Sequence, residues 1–208
     1  MQDYIDRFIW TLKKNGLVST LKLCLLNLVI IQRVYIFQST LKNINHHQLK
    51  REDARLFIIQ SENDLVDLIS RGYVINPSLN VYEITKRIRL GEIVFIMFIN
   101  NKIAHKSWII SNDKVPPDMP IKLNWNNEAY IQECVTEPKY RGQGLYPFTL
   151  TRILSFLILQ NKTKAFIISQ KSNYASIKGI IKAGFKKRNE AVYIRLFYNT
   201  ILWKEKTH

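Results

Sequence analysis

The sequence is sparing with glycine and proline, which supply seven and six of its 208 residues. It holds only two cysteines, Cys24 and Cys134. Two cysteines build no disulfide framework and suit a reducing cytoplasm. Acidic residues are scarce as well: 16 Asp+Glu stand against 31 Lys+Arg, a formal charge of +15. That excess favours anionic partners, whether phosphorylated cofactors, nucleic acid or acidic lipid, without choosing among them. The apolar run "LCLLNLVII" (23–31) falls short of the ~20 residues that cross a bilayer. Lys22, Asn27, Gln32 and Arg33 flank or interrupt it, and Asp3 and Asp6 precede it, which argues against a signal peptide. There is no internal repeat and no low-complexity segment. His46-His47 lack further ligands at useful spacing, so no metal site is expected.

What is present is ample apolar material, 47% hydrophobic and 12% aromatic, enough for one real core. In the first 45 residues, Ile5, Phe8, Ile9 and Leu12, then Leu17, Leu21, Cys24, Leu25 and Leu28, recur at helical spacing. Two short amphipathic helices are expected there. They either pack on the rest of the protein or lie on a membrane surface, where Lys13, Lys14, Lys22 and Arg33 would meet acidic headgroups.

Past a polar linker the pattern is mixed. "ARLFIIQ" (54–60) reads as a strand, and 61–72 as a helix opened by Ser61 with Asp64 three residues on. A second helix, 81–91, closes at Gly91. Three strands follow, "EIVFIMFIN", "NKIAHKSWIIS" and "EAYIQECVT", the first two joined by a tight turn at Asn100-Asn101. Then come a helix (145–160), a strand (164–170), a helix (173–183) and a strand (191–198). This order is α/β, a mixed sheet covered by helices.

Two of the seven glycines, Gly142 and Gly144, fall in one bend, "EPKYRGQGLYPF" (137–148). A strand ends near Thr136, Pro138 stops it, and a helix begins just after Gly144. Glycines there let successive backbone N–H groups approach a ligand without Cβ interference. The helix N-terminus and Arg141 add positive charge, so the bend suits a phosphate group. It is not a P-loop, since no Gly-Lys-Ser/Thr follows, and it lacks the third glycine of a dinucleotide fingerprint.

"VTEPKYRGQGLY" after a three-strand meander closely resembles the acetyl-CoA pyrophosphate loop of the GNAT superfamily of N-acetyltransferases. Gly142 and Gly144 occupy its fixed positions, and Lys139 departs from the preferred first residue. "SNYASIKGIIKAGF" (172–185) resembles the later motif helix, with Asn173, Ser176, Lys182, Gly184 and Phe185 aligned. The resemblance covers roughly residues 54 to 198, which sets a GNAT-like domain at 46–208 and a helical extension at 1–45. It implies a splayed sheet that holds acetyl-CoA as cosubstrate. The cofactor arm would pair with the strand at Cys134, Val135 and Thr136. The amides of Arg141, Gly142, Gln143, Gly144, Leu145 and Tyr146 would hold the pyrophosphate, and Asn173 would contact the pantetheine region.

The implied reaction is direct attack by a neutral amine on the thioester. Two residues are candidates for the base: Glu133, on the strand leading to the loop, and His105, the histidine of an expected core strand. Each has a plain alternative, Glu133 as a solvent-facing carboxylate and His105 as a structural residue. Ile180 stands where the family often keeps a tyrosine acid, which leaves water, Tyr146 or Tyr174 for the leaving sulfur. Cys134 reads as core rather than as a nucleophile. Nine Lys/Arg against two Glu from Lys171 onward form a basic C-terminal region.

The leading expectation is an acyltransferase for a small-molecule amine, such as an amino sugar or aminoacyl compound. A protein or peptide N-acetyltransferase is the second class. A non-catalytic basic module binding membrane or nucleic acid is the third, though nucleic acid is not the expected partner. The expected location is cytoplasmic, at the inner face of the membrane if the basic helices lie on lipid. Nothing in the sequence sets the oligomeric state.

Overall fold

The computed structural model describes residues 29–42, 49, 51, 53–75, 80–115, 117, 119, 121–196 and 199–206. The chain divides into two compact units, Tyr35–Asn189 and a smaller one drawn from Met1–Val34 and Glu190–His208. In chain order the strands are β1 (Val29–Thr40), β2 (Ala54–Ile59), β3 (Ile93–Ile99), β4 (Lys102–Ile110), β5 (Glu128–Thr136), β6 (Lys164–Gln170), β7 (Lys186–Leu196) and β8 (Asn199–Lys206). The helices are α1 (Glu62–Ser70), α2 (Val81–Arg89), α3 (Leu145–Leu159) and α4 (Tyr174–Lys182).

The larger unit is built on a mixed sheet in the order β2-β3-β4-β5-β6-β1-β7. β2 to β5 form an antiparallel meander, and β5 then pairs with β6 in parallel. Its register ends at Ile131 opposite Ile167, whereas β5 stays paired with β4 as far as Thr136 opposite His105. The strands therefore part beyond Ile131.

Side chains alternate between two cores. On one face Val94, Ile96, Phe98 and Trp108 pack against Leu65 and Leu68 of α1 and Ile84 and Ile88 of α2. On the other, Phe95, Ile109, Ile131 and Ile167 meet Leu150, Ile153, Leu154 and Leu157 of α3 and Ile180 of α4. A strand buried on both faces reads as one apolar run, which explains "IVFIMFI" in β3. In the smaller unit β7 and β8 pair antiparallel, and Tyr193 donates to Gln32 Oε1 at 2.6 Å. No helix among the described residues is long and apolar enough to cross a membrane.

Several local expectations hold in detail. Ser61 caps α1, and a capping box forms with Asp64. Asn100 and Asn101 both take positive φ, 49° and 57°, as a two-residue hairpin turn with this twist requires. Two expectations need correction. Residues 29–40, placed in a helical extension ending at 45, form a strand whose neighbours are β6 and β7. Leu41 N–H then donates to Thr163 O at 3.0 Å. "VIIQRVYIFQ" is rich in β-branched and aromatic residues, and a short apolar run does not by period alone distinguish helix from buried strand. The helices expected between Ile5 and Leu28 lie outside the described residues. At the other end, β7 starts at Lys186 rather than 191, because "KKRNE" carries charge without apolar alternation, and β8 is an additional strand.

The capping box gives a direct check on α1. Ser61→Ala removes the acceptor for Asp64 N–H and is expected to lower stability by about 1 kcal/mol in urea unfolding, with the slope unchanged.

Candidate active site

The parted strands open a cleft of about 700 Å³, lined by the end of β5, the glycine loop with the first turn of α3, and one face of α4. Gly142 and Gly144 have φ of 77° and 78°, in the left-handed region where a Cβ is strained. Gly142 is not crowded, since an added Cβ would meet nothing within 4 Å, so backbone conformation is what requires it. Among the described residues, the amides of Gly142, Gln143, Gly144, Leu145 and Tyr146 have no backbone acceptor. They cluster at the N-terminus of α3, where the helix dipole adds positive potential. Pro147, in the first turn, carries no N–H that would need a partner. Arg141, Lys178 and Lys182 line the same cleft, and among the described residues no carboxylate does. Such a donor set fits a pyrophosphate.

Cys134, Val135, Thr136, Arg141, Gly142, Gly144, Leu145, Tyr146 and Asn173 all lie on this wall. Gln143 does not; its side chain turns away, toward Arg51 and Lys139. Asn173 Oδ1 caps α4 by accepting from Ser176 N–H at 3.1 Å. Cys134 is half-buried and packs at the edge of the α3/α4 core.

Glu133 is the extra residue of a β-bulge. Lys106 faces Val135 and Trp108 faces Gln132, so one residue of β4 spans two of β5. Its φ of 49° is unusual for a non-glycine residue, and the bulge turns its side chain toward α2. There Arg87 Nη1 donates to Glu133 at 2.8 Å, while Nε and Nη2 fork onto Glu92 at 2.9 and 2.6 Å. The guanidinium lies 3.8 Å above the Trp108 ring, and Gln132 donates to Glu92 at 3.1 Å. Burial works against the Arg87 charge, but the bonds to Glu92 and Glu133 outweigh it and raise its pKa. Lys106 is half-buried nearby, and burial lowers its pKa against the opposing pull of Glu133.

His105 is fully buried. Its Nδ1 is 2.7 Å from Thr136 Oγ1 and its Nε2 2.8 Å from Ser107 Oγ, so both ring nitrogens are occupied. Burial pulls its pKa from 6.5 down to about 3. A ring so held is neutral at pH 7 and a weak base, which corrects its candidacy as proton acceptor and assigns it to holding Thr136 on the wall. Tyr146 lies on the other side of His105, ring centroids 5.6 Å apart, with its hydroxyl 3.4 Å from Ser176 Oγ. Burial pushes the phenol well above its ordinary pKa, so it stays protonated. The ring rests on Gly179, where a Cβ would come within 2.5 Å of it. Tyr174 is 78% exposed, and Ile180 is buried in the core.

Sequence reasoning missed Arg87 and Glu92, whose signal appears only when α2 meets β5. It also missed Gly179, although a lone glycine inside a helical pattern usually has a packing reason. Lys178 was seen only as part of a basic region.

His105 makes a pH prediction. Its folded pKa is depressed, so the unfolded chain takes up a proton that the native chain refuses between about pH 6.5 and 3. Its stabilising contribution is therefore complete above pH 6.5 and is lost as pH falls through that window. His105→Gln should flatten the fall in urea-measured stability from pH 7 to 5, by up to about 1.4 kcal/mol per pH unit. An unchanged slope would show that the ring is accessible to protons in the native state.

No protein-family model matches the chain, and no curated protein matches it in sequence. Solved structures do match it. An acetyltransferase of the GNAT family from Colwellia psychrerythraea superposes with a TM-score of 0.51 at 17% identity, covering 88% of this chain and 62% of that one. A GCN5-related N-acetyltransferase-like protein from Streptococcus suis gives 0.54 at 11% identity, covering 88% and 68%. A GCN5-related N-acetyltransferase from Sphaerobacter thermophilus gives 0.53 at 11%, covering 93% and 58%. The chain thus spans 62%, 68% and 58% of the length of these three structures. With its meander, parted strands and glycine loop, this chain has the fold of the GNAT superfamily of N-acetyltransferases.

Proposed function

We propose that the protein is an acetyl-CoA-dependent N-acyltransferase that acetylates a primary amine of a small molecule, such as an amino sugar or aminoacyl compound. The observation that carries this reading is the cleft itself. Past the end of its register with β6 at Ile131, β5 runs into a loop at a helix N-terminus whose amides have no backbone acceptor among the described residues, and the described residues of the wall include three cations and no carboxylate.

Bound acetyl-CoA would supply an activated acyl thioester. The amides of Gly142–Tyr146 would hold its pyrophosphate, with Arg141, Lys178 and Lys182 adding charge. The edge of β5 past the end of its register with β6 at Ile131 would pair with an amide-bearing arm as another strand does. Fixing the acyl donor beside an amine supplies most of the catalysis; well-oriented reactants gain up to ~7–11 kcal/mol.

Glu133 would take the ammonium proton, directly or through water. Its side chain is 46% exposed, and the bulge sets it at the lip of the parted strands. Arg87 fixes its orientation. On the opposite side of the sheet Tyr146 Oη is the phenol that the cleft offers to the leaving sulfur.

Two tests follow. Acetyl-CoA should raise the melting temperature of the wild-type protein through mass action, and Gly142→Asp and Gly144→Asp should abolish that shift by placing a carboxylate at the pyrophosphate. Full affinity in both variants would refute the loop assignment. With an acceptor found from a pooled amine library by a gain of one acetyl group, Glu133→Gln should cut turnover by about 10²-fold and leave cofactor affinity intact. A loss under tenfold would mean that solvent takes the proton.

A further inference from the structure

The glycine loop is held from behind by a residue outside the cleft. Arg51, which precedes β2, donates from Nη1 to Gln143 Oε1. Its Nε and Nη2 donate to the two carboxylate oxygens of Asp53 at 2.8 and 2.6 Å. Gln143 in turn donates from Nε2 to Lys139 O at 3.2 Å. One side chain is thus tied at both ends, and it sits between the two left-handed glycines. Glycine loses more conformational freedom than any other residue when a site orders, so this is where a loop has most to lose on binding. The Asp53 fork fixes the plane of the guanidinium and aims its remaining edge at Gln143. The ion pair is part-exposed, 30% and 39% by side chain, and adds little stability by itself. Its effect is geometric.

We propose that Arg51 is a positioning residue that preorganises the anion-binding loop through Gln143, with Asp53 orienting it. The proposal rests on reading the loop as the pyrophosphate site. A loop already ordered loses less entropy when the ligand arrives, so affinity rises without a contact between Arg51 and the ligand. Lysine would keep the charge, but it lacks the planar fork that serves Asp53 and Gln143 together.

The test combines ¹⁵N relaxation of the ligand-free full chain with calorimetric titration by coenzyme A. In Arg51→Ala the order parameters of Gly142, Gln143 and Gly144 should fall from about 0.85 toward 0.6. Coenzyme A should bind about fivefold more weakly, the net loss expected for one ordinary hydrogen bond. Gln143→Ala should do the same, the double variant should be no worse than either single one, and Arg51→Lys should resemble Arg51→Ala. An ordered loop in Arg51→Ala, additive losses, or rescue by lysine would each overturn the proposal, the last by making Arg51 a distant charge only. If the wild-type chain binds no coenzyme A yet its loop loosens in Arg51→Ala, the cosubstrate reading falls and the clamp stands.

Discussion

β5 is held along its whole length on one side and along only part of it on the other. β4 keeps pairing to Thr136, while β6 lets go after Ile131. A strand edge released in this way presents backbone donors and acceptors that water or a ligand must satisfy. The released edge leads directly into the glycine bend, and Arg141 Nε ties the two together by donating to Thr136 O at 3.2 Å. The rest of the larger unit serves this parting. α3 and α4 pack side by side on one face, and their N-termini, one carrying the loop and the other Asn173, converge on the gap.

The bulge at Glu133 is the second constraint. An extra residue in β5 shifts the register by one, which leaves Gln132 and Glu133 both directed to the α2 side, where Glu92 and Arg87 receive them. A buried guanidinium between two carboxylates is costly to dehydrate and costly to break, so it specifies where α2 sits against the sheet. The same register places Cys134 and Thr136 on the α3/α4 side with Tyr146 and His105. One inserted residue thus directs Gln132 and Glu133 to the α2 side of the strand and Cys134 and Thr136 to the α3/α4 side.

The Tyr146–Gly179 contact joins the two helices at the cleft. Gly179 gives up helix propensity, about 1 kcal/mol relative to alanine, and gains a seat for an aromatic ring. That ring brings a phenol to the wall from α3, while the α4 position held by Ile180 belongs to the core. Position along the helix decides which side chain reaches the cleft: Ser176, Gly179 and Lys182 recur at three-residue spacing on the cleft face, and Ile180 lies one residue off it.

Features that depend on neighbouring residues were legible in the sequence. The cap at Ser61, the Asn100-Asn101 turn, the helix after Gly144 and the two left-handed glycines are each governed by local dihedral and hydrogen-bonding preferences within a few residues. The glycine bend was readable for the same reason. Only the tertiary structure decided the rest. Whether Glu133 points to solvent or to a guanidinium depends on Arg87, 46 residues earlier in the chain. Whether His105 can take a proton depends on burial by elements far from it in sequence, and burial alone moves its pKa to about 3. The slot of β1 beside β6 depends on pairing across more than 120 intervening residues, for which no local pattern carries a signal. Charge, protonation and strand neighbours are properties of an environment, and that environment is assembled only when distant segments meet.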